Sequence, residues 1–340
     1  MEMRQSTSQA SVVNRTLCRL LLVILFFAPT IWLHAQATTR PVPGNRAHDP
    51  STIVACDGEY WCFSTGSGVR THRSRDLVDW QPGPRALDPL PDWTRGYPLR
   101  DDRLWAPDLI RAADGRYLLY YSASSFDKNA SAIGVASNAT LDPSDAAYRW
   151  VDHGVVIAST ANDDFNAIDP AVTRDADGKL WMSFGSFWSG IKLIELDPRT
   201  GQRVAPGSRI YALARAKEIE APFIHRRDEA YFLFVNFGLC CRGVKSTYEI
   251  RVGRAEKITG PYLDKEGKDL RAGGGTPLLG SRGTMIGPGH AGIVTDARGR
   301  EWLSFHFYDA MQNGRATLGL RSITWDKDGW PVVAEGEESP

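Results

Sequence analysis

A chain of 340 residues with forty basic and forty acidic side chains has a formal net charge of +0, so no global field draws it to nucleic acid or to an anionic membrane. Aromatic residues make up 10% of it, with eleven Trp and eleven Tyr. That share suits a wide β core, which accounts for most of them, and also suits stacking on sugars. The length admits one large domain or two ordinary ones, and the internal organisation must choose.

The N-terminus reads as a secretory signal over residues 1–37. Arg4, Arg15 and Arg19 precede an apolar run from Leu20 to Leu33, and Ala35-Gln36-Ala37 offers small residues for cleavage. The run is too short for a membrane span. Cys18 precedes it, whereas a lipoprotein cysteine would follow it. The mature chain, 38–340, is expected to be secreted, to the periplasm or the medium, with no membrane attachment after cleavage. Export leaves Cys56, Cys62, Cys240 and Cys241 in an oxidising compartment. Cys56 and Cys62 flank the Asp57-Gly58 turn and could bridge neighbouring strands; for the vicinal pair Cys240-Cys241 the plain expectation is a free buried thiol at each.

Beyond about Arg46 one pattern recurs five times. Each copy has an anchor, at Pro50, Pro107, Pro170, Pro222 and, in the proline's place, Ala291. Eight positions later comes a turn residue, at Gly58, Gly115, Gly178, Ala230 and Gly299. Apolar runs flank each turn, as in Tyr60-Trp61-Cys62-Phe63 and Tyr117-Leu118-Leu119-Tyr120-Tyr121, and Asp-Gly between such runs is a strong hairpin signal. Third strands follow at 68–72, 132–136, 191–194, 248–252 and 317–320. A shorter fourth segment closes several copies, often at a tryptophan such as Trp80, Trp150 or Trp325. Four antiparallel strands repeated five times predict an all-β, five-bladed β-propeller acting as one domain, and we expect a monomer. The cluster Gly273-Gly274-Gly275 lacks the Lys-Ser/Thr of a phosphate loop and reads as a linker between the fourth and fifth copies.

The residues ahead of the anchors carry the chemistry. They are His48-Asp49, Trp105-Ala106, Ile168-Asp169, Glu220-Ala221 and Gly289-His290. The innermost strand of each blade lines the central channel, so Asp49, Asp169 and Glu220 at matched places point into one pocket. Two carboxylates with separated pKa values are what glycoside hydrolysis requires, and a third can tune the acid by like-charge repulsion.

Together with Phe184-Gly185-Ser186-Phe187-Trp188-Ser189-Gly190-Ile191, Cys240-Cys241-Arg242-Gly243, Ser246-Thr247-Tyr248 and Gly287-Pro288-Gly289-His290, these motifs resemble the arabinanases of glycoside hydrolase family 43, over nearly the whole mature chain. The resemblance implies endo-hydrolysis of α-1,5-linked L-arabinan or its oligosaccharides with inversion. Asp49 would be the general base, Glu220 the general acid, and Asp169 the residue that raises and orients the acid. It also implies a metal, usually calcium, in the channel beside a histidine that His306 matches; a hard cation taking one imidazole would draw its other ligands from water. Trp105 and Phe126 match sugar-stacking places. Asn166 and Ser186 could bond sugar hydroxyls or satisfy buried backbone, and His290 could face the pocket or make a structural bond. Trp61, Trp181 and Trp302, alternating within second strands, read as core. An exo-acting enzyme of the same family is the near alternative; a non-catalytic sugar-binding propeller would need a missing carboxylate, and none is missing.

Overall fold

Each copy of the repeat becomes one antiparallel sheet in the computed structural model, which describes residues 45–335 and 340. The expected signal in residues 1–37 lies outside the described residues. Blade 1 is built from Val54–Cys56, Glu59–Ser64, Arg70–Ser74 and Gln81–Pro82, and blade 2 from Arg103–Arg111, Tyr117–Ala123, Ser131–Asn138 and Val151–Ser159. Gly66–Ser67 adds a two-residue pairing to the inner edge of blade 2. Blade 3 is Ala171–Arg174, Leu180–Phe184, Ile191–Leu196 and Tyr211–Ala214; blade 4 is Ile219–Arg227, Ala230–Phe237, Glu249–Ala255 and Thr276–Leu279. Blade 5 is Met285–Thr295, Glu301–Asp309, Arg315–Trp325 and Pro331–Val333. The fold is the five-bladed propeller that the repeat predicts.

The period-2 alternation of the second strands explains how the blades pack. In blade 1, Trp61 and Phe63 join a core shared with Leu104, Leu119 and Tyr121 of blade 2, while Cys62 between them faces Trp302 and Val294 of blade 5. In blade 3, Leu180, Met182 and Phe184 face blade 2 and Trp181 faces blade 4. Five apolar cores thus lie between five neighbouring pairs of sheets. The one between blades 5 and 1 closes the ring, with the backbone bond from Leu318 N–H to Asn45 O beside it. Trp61, Trp181 and Trp302 are buried core, as their alternation predicts.

The hairpins differ in detail. Cys56 pairs with Glu59, so Asp57-Gly58 is a two-residue turn with both φ angles positive, which the twist of a hairpin favours. Arg111 pairs with Tyr117, and Arg174 with Leu180, so the other Asp-Gly pairs lie in longer turns. In the turns of blades 3 and 5, Asp175 and Asp296 accept backbone N–H groups of their own turns and the indole N–H of Trp181 and Trp302, satisfying the polar edge of each core tryptophan.

Four readings are corrected. Gly273-Gly274-Gly275 lies inside blade 4, between its third and outermost strands, because the strand Thr276–Leu279 pairs with Glu249–Ala255. Trp325 ends the third strand of blade 5; the short outer strand follows Trp330. Cys56 and Cys62 are free and buried, since their strands pair Val54 with Trp61 and offset the two thiols. Cys240 and Cys241 are not free thiols but are joined to each other in a disulfide.

Candidate active site

All five anchors share one backbone feature. The residue immediately before each, Asp49, Ala106, Asp169, Ala221 and His290, has a positive φ, between 41° and 62°. For a residue with a Cβ this region costs about 1–2 kcal/mol, and the cores on both sides of each blade hold the chain in it. The turn also divides the expected equivalent places into two registers. Asp49, Asp169 and His290 occupy the left-handed position itself, whereas Trp105 and Glu220 precede it, next to shifts in strand register. Side chains from both registers reach the channel.

Asp49 lies at the entry to blade 1. Its Oδ2 accepts the Thr65 hydroxyl at 2.6 Å and lies 2.7 Å from His48 Nδ1, while Oδ1 lies 3.6 Å from His290 Nδ1 and 3.7 Å from His306 Nδ1. Burial alone would raise its pKa, but the surrounding imidazoles, His48 foremost, hold it well below the usual carboxylate range. Glu220, in blade 4, is pushed the other way by burial and by the Asp49 charge. Ser186 Oγ, at 2.7 Å from Oε2, and the Tyr248 hydroxyl on Oε1 oppose that rise by donating to the carboxylate. Asp169, in blade 3, is raised well above its ordinary value by burial and by its like-charged neighbours Glu220 and Asp49. Its Oδ2 accepts the N–H of Ala221, at 3.1 Å, which ties it to the residue after Glu220.

The site therefore brings together Asp49, Asp169, Glu220 and Ser186. Trp105 and Phe126 meet each other, ring centroids 4.9 Å apart, with Phe126 65% exposed at the rim. Asn166 is buried and its Oδ1 has no hydrogen-bond partner among the described residues. His290 takes both of the roles considered for it: its N–H donates to Asn236 Oδ1 and its ring faces Asp49. His306 is fully buried under the pocket, its Nδ1 accepting the N–H of Asp49 at 3.1 Å and its Nε2 without a partner among the described residues.

Sequence reasoning missed His48, Thr65, Tyr308 and the role of Tyr248. His48 stacks on His306 at 4.2 Å, and Tyr308 Oη bonds His48 Nε2 at 2.9 Å and accepts the N–H of Cys241 at 2.6 Å. His48 and Tyr248 stood inside quoted motifs, and their signal was adjacency to the repeat positions. Thr65 left no signal of that kind.

The glycosyl hydrolases family 43 model matches residues 38–331. The chain belongs to glycosyl hydrolase family 43. As a family 43 member it is a glycoside hydrolase, and its relatives cover most of its length. It is 43% identical to the extracellular exo-α-(1→5)-L-arabinofuranosidase ArbA of Cellvibrio japonicus, across 85% of this chain and 87% of that one. It is 40% identical to the extracellular endo-α-(1→5)-L-arabinanase 1 of Bacillus subtilis, across 84% and 86%. Among solved structures, the Cellvibrio cellulosa α-L-arabinanase complexed with arabinohexaose superposes with a TM-score of 0.81 at 40% identity, covering 86% of this chain and 96% of that one. The family 43 assignment agrees with a channel in which Asp49 is biased towards the ionised form and Asp169 and Glu220 towards the protonated one.

Proposed function

We propose that the protein hydrolyses α-1,5-linked L-arabinan by endo cleavage with inversion. The observation that carries the reading is the opposite bias of two carboxyls in one pocket: Asp49 held ionised by imidazoles, Glu220 held towards the protonated form by burial and by Asp49. Asp49 takes a proton from water as the water oxygen bonds to the anomeric carbon. Glu220 gives its proton to the glycosidic oxygen as that bond breaks, so the sum is addition of one water and the anomeric centre inverts. Repulsion between the Asp169 and Glu220 carboxyls disfavours ionising both and so favours a protonated acid, and the bond from the Ala221 N–H to Asp169 helps to orient it. The names of the relatives supply the sugar, and Trp105 and Phe126 supply apolar faces for it.

Endo action is tested by sizing the products of linear, debranched arabinan. Mixed short oligomers at early times support it, whereas one product size throughout would replace it with the exo reading, which the name of the Cellvibrio japonicus relative favours. Proton NMR of the first-formed anomer tests inversion.

A cation beside His306 belongs to the same proposal. Its fully buried Nε2, without a partner among the described residues, suits a single imidazole donor to a hard ion, such as calcium, that completes its shell with water. Because Nδ1 accepts the N–H of Asp49, the neutral ring carries its proton on Nε2. Binding at Nε2 would call for the other tautomer, which gives up the bond from the Asp49 N–H. When bound, such an ion supplies positive charge beneath the pocket, favouring ionised Asp49. Secretion through cleavage near Ala37 completes the reading, in line with the names of the extracellular relatives, and N-terminal sequencing of the exported protein tests it.

A further inference from the structure

The two oxygens of Asp49 have different surroundings. Oδ2 accepts the Thr65 hydroxyl at 2.6 Å and also has His48 Nδ1 at 2.7 Å. Among the described residues, Oδ1 has only the imidazole nitrogens of His290 and His306, at 3.6 and 3.7 Å, beyond direct hydrogen-bond reach. The direction of the Thr65 bond is fixed by its partners. Ala106 N–H donates to Thr65 Oγ1 at 2.8 Å, and a backbone N–H can only donate. An ionised carboxylate can only accept, so the hydroxyl gives its one proton to Asp49 while a lone pair takes the Ala106 N–H. Ala106 is the left-handed residue at the anchor of blade 2, so this chain of two hydrogen bonds ties the entry turn of blade 2 to the carboxylate at the entry of blade 1. Thr65 itself is held by its own N–H, which donates to His48 O at 2.9 Å.

We propose that Thr65 is a positioning residue for Asp49, and that by occupying Oδ2 it leaves Oδ1 as the oxygen that takes the proton from water. This rests on Asp49 as the general base. A carboxylate bonded to the protein through one oxygen cannot rotate about its Cβ–Cγ bond without losing that bond, so Oδ1 keeps one direction through the reaction. Thr65 touches neither the sugar nor the water; its effect passes through the carboxylate. The benefit is orientation, which acts on turnover more than on substrate binding.

The test is a small set of variants assayed on linear arabinan, each checked for folding by circular dichroism and melting. Thr65→Val keeps the volume and removes the hydroxyl; it is expected to lower kcat between about 10- and 100-fold while KM changes less than about 2-fold. Thr65→Ser keeps both hydrogen bonds and should recover most of kcat. Combined with Asp49→Ala, Thr65→Val should cost little more than Asp49→Ala alone, because the group it positions has gone. If Thr65→Val does not fold, Thr65→Ala makes the same comparison without the added methyl. Equal losses for Ser and Val, a loss carried by KM, or a full additional loss in the Asp49→Ala background would overturn the role of Thr65. An Asp49→Ala enzyme that keeps wild-type turnover would instead overturn Asp49 as base, a distinguishable failure.

Discussion

Ser186 Oγ donates to Glu220 Oε2 at 2.7 Å, a bond that runs from blade 3 to blade 4 across the rim of the channel. A donor to a carboxylate stabilises the ionised form, so this bond works against the proton that an acid must carry. Ser186→Ala removes the bond and is expected to raise the Glu220 pKa further. Activity falls as the acid deprotonates, so the alkaline limb of the pH profile moves to higher pH. An unchanged limb in kcat/KM against pH would detach Ser186 from the acid.

Glu220→Ala is expected to lose about 10²- to 10⁴-fold in rate on arabinan, and far less on an aryl arabinoside whose leaving group needs no proton. Equal losses on the two substrates remove Glu220 from the acid role. Asp49→Ala should lose on both, and added azide should restore turnover by replacing the activated water.

Asp108 binds three blades together: Oδ1 accepts the N–H of Thr52 at 2.9 Å and Oδ2 the N–H of Val172 at 2.7 Å. An Asn side chain offers one acceptor for those two donors, so Asp108→Asn is expected to destabilise the fold by about 1–3 kcal/mol, read in urea melts at pH 7. Burial raises this carboxyl from 3.8 to about 6. Raised in the fold, it contributes stability that is full below the unfolded value of 3.8 and is lost as pH climbs through about 6. The variant should lose that slope between about pH 4 and pH 6.

Exhaustive chelation is expected to lower turnover and to move the acidic limb of the profile upward, because loss of a nearby cation lets Asp49 protonate at higher pH. The melting temperature should change little, since the five inter-blade cores do not depend on His306. Elemental analysis finding no bound metal, with activity and profile unaffected by chelation, would leave His306 as a buried neutral histidine.

The propeller was legible in the sequence because its determinants are local and repeated. Period-2 alternation, a turn eight residues beyond each anchor and an acidic residue before three of the anchors are all short-range patterns, and five copies make them unambiguous. Asp49, Asp169 and Glu220 could be picked out for the same reason. The tertiary structure alone decided what surrounds them. Thr65 reaches Asp49 from the end of a second strand, Tyr248 reaches Glu220 from a third, and Tyr308 meets His48 across 260 residues. The first two follow from strand pairing within blades 1 and 4 and the last from closing the ring between blades 5 and 1, and no local pattern encodes any of them. The charge bias of each carboxyl depends on burial and on these donors, and so does the choice between its two oxygens. The left-handed turn at every anchor likewise separates Asp49 and Asp169 from Trp105 and Glu220 by one residue, a distinction of backbone geometry that residue types do not record.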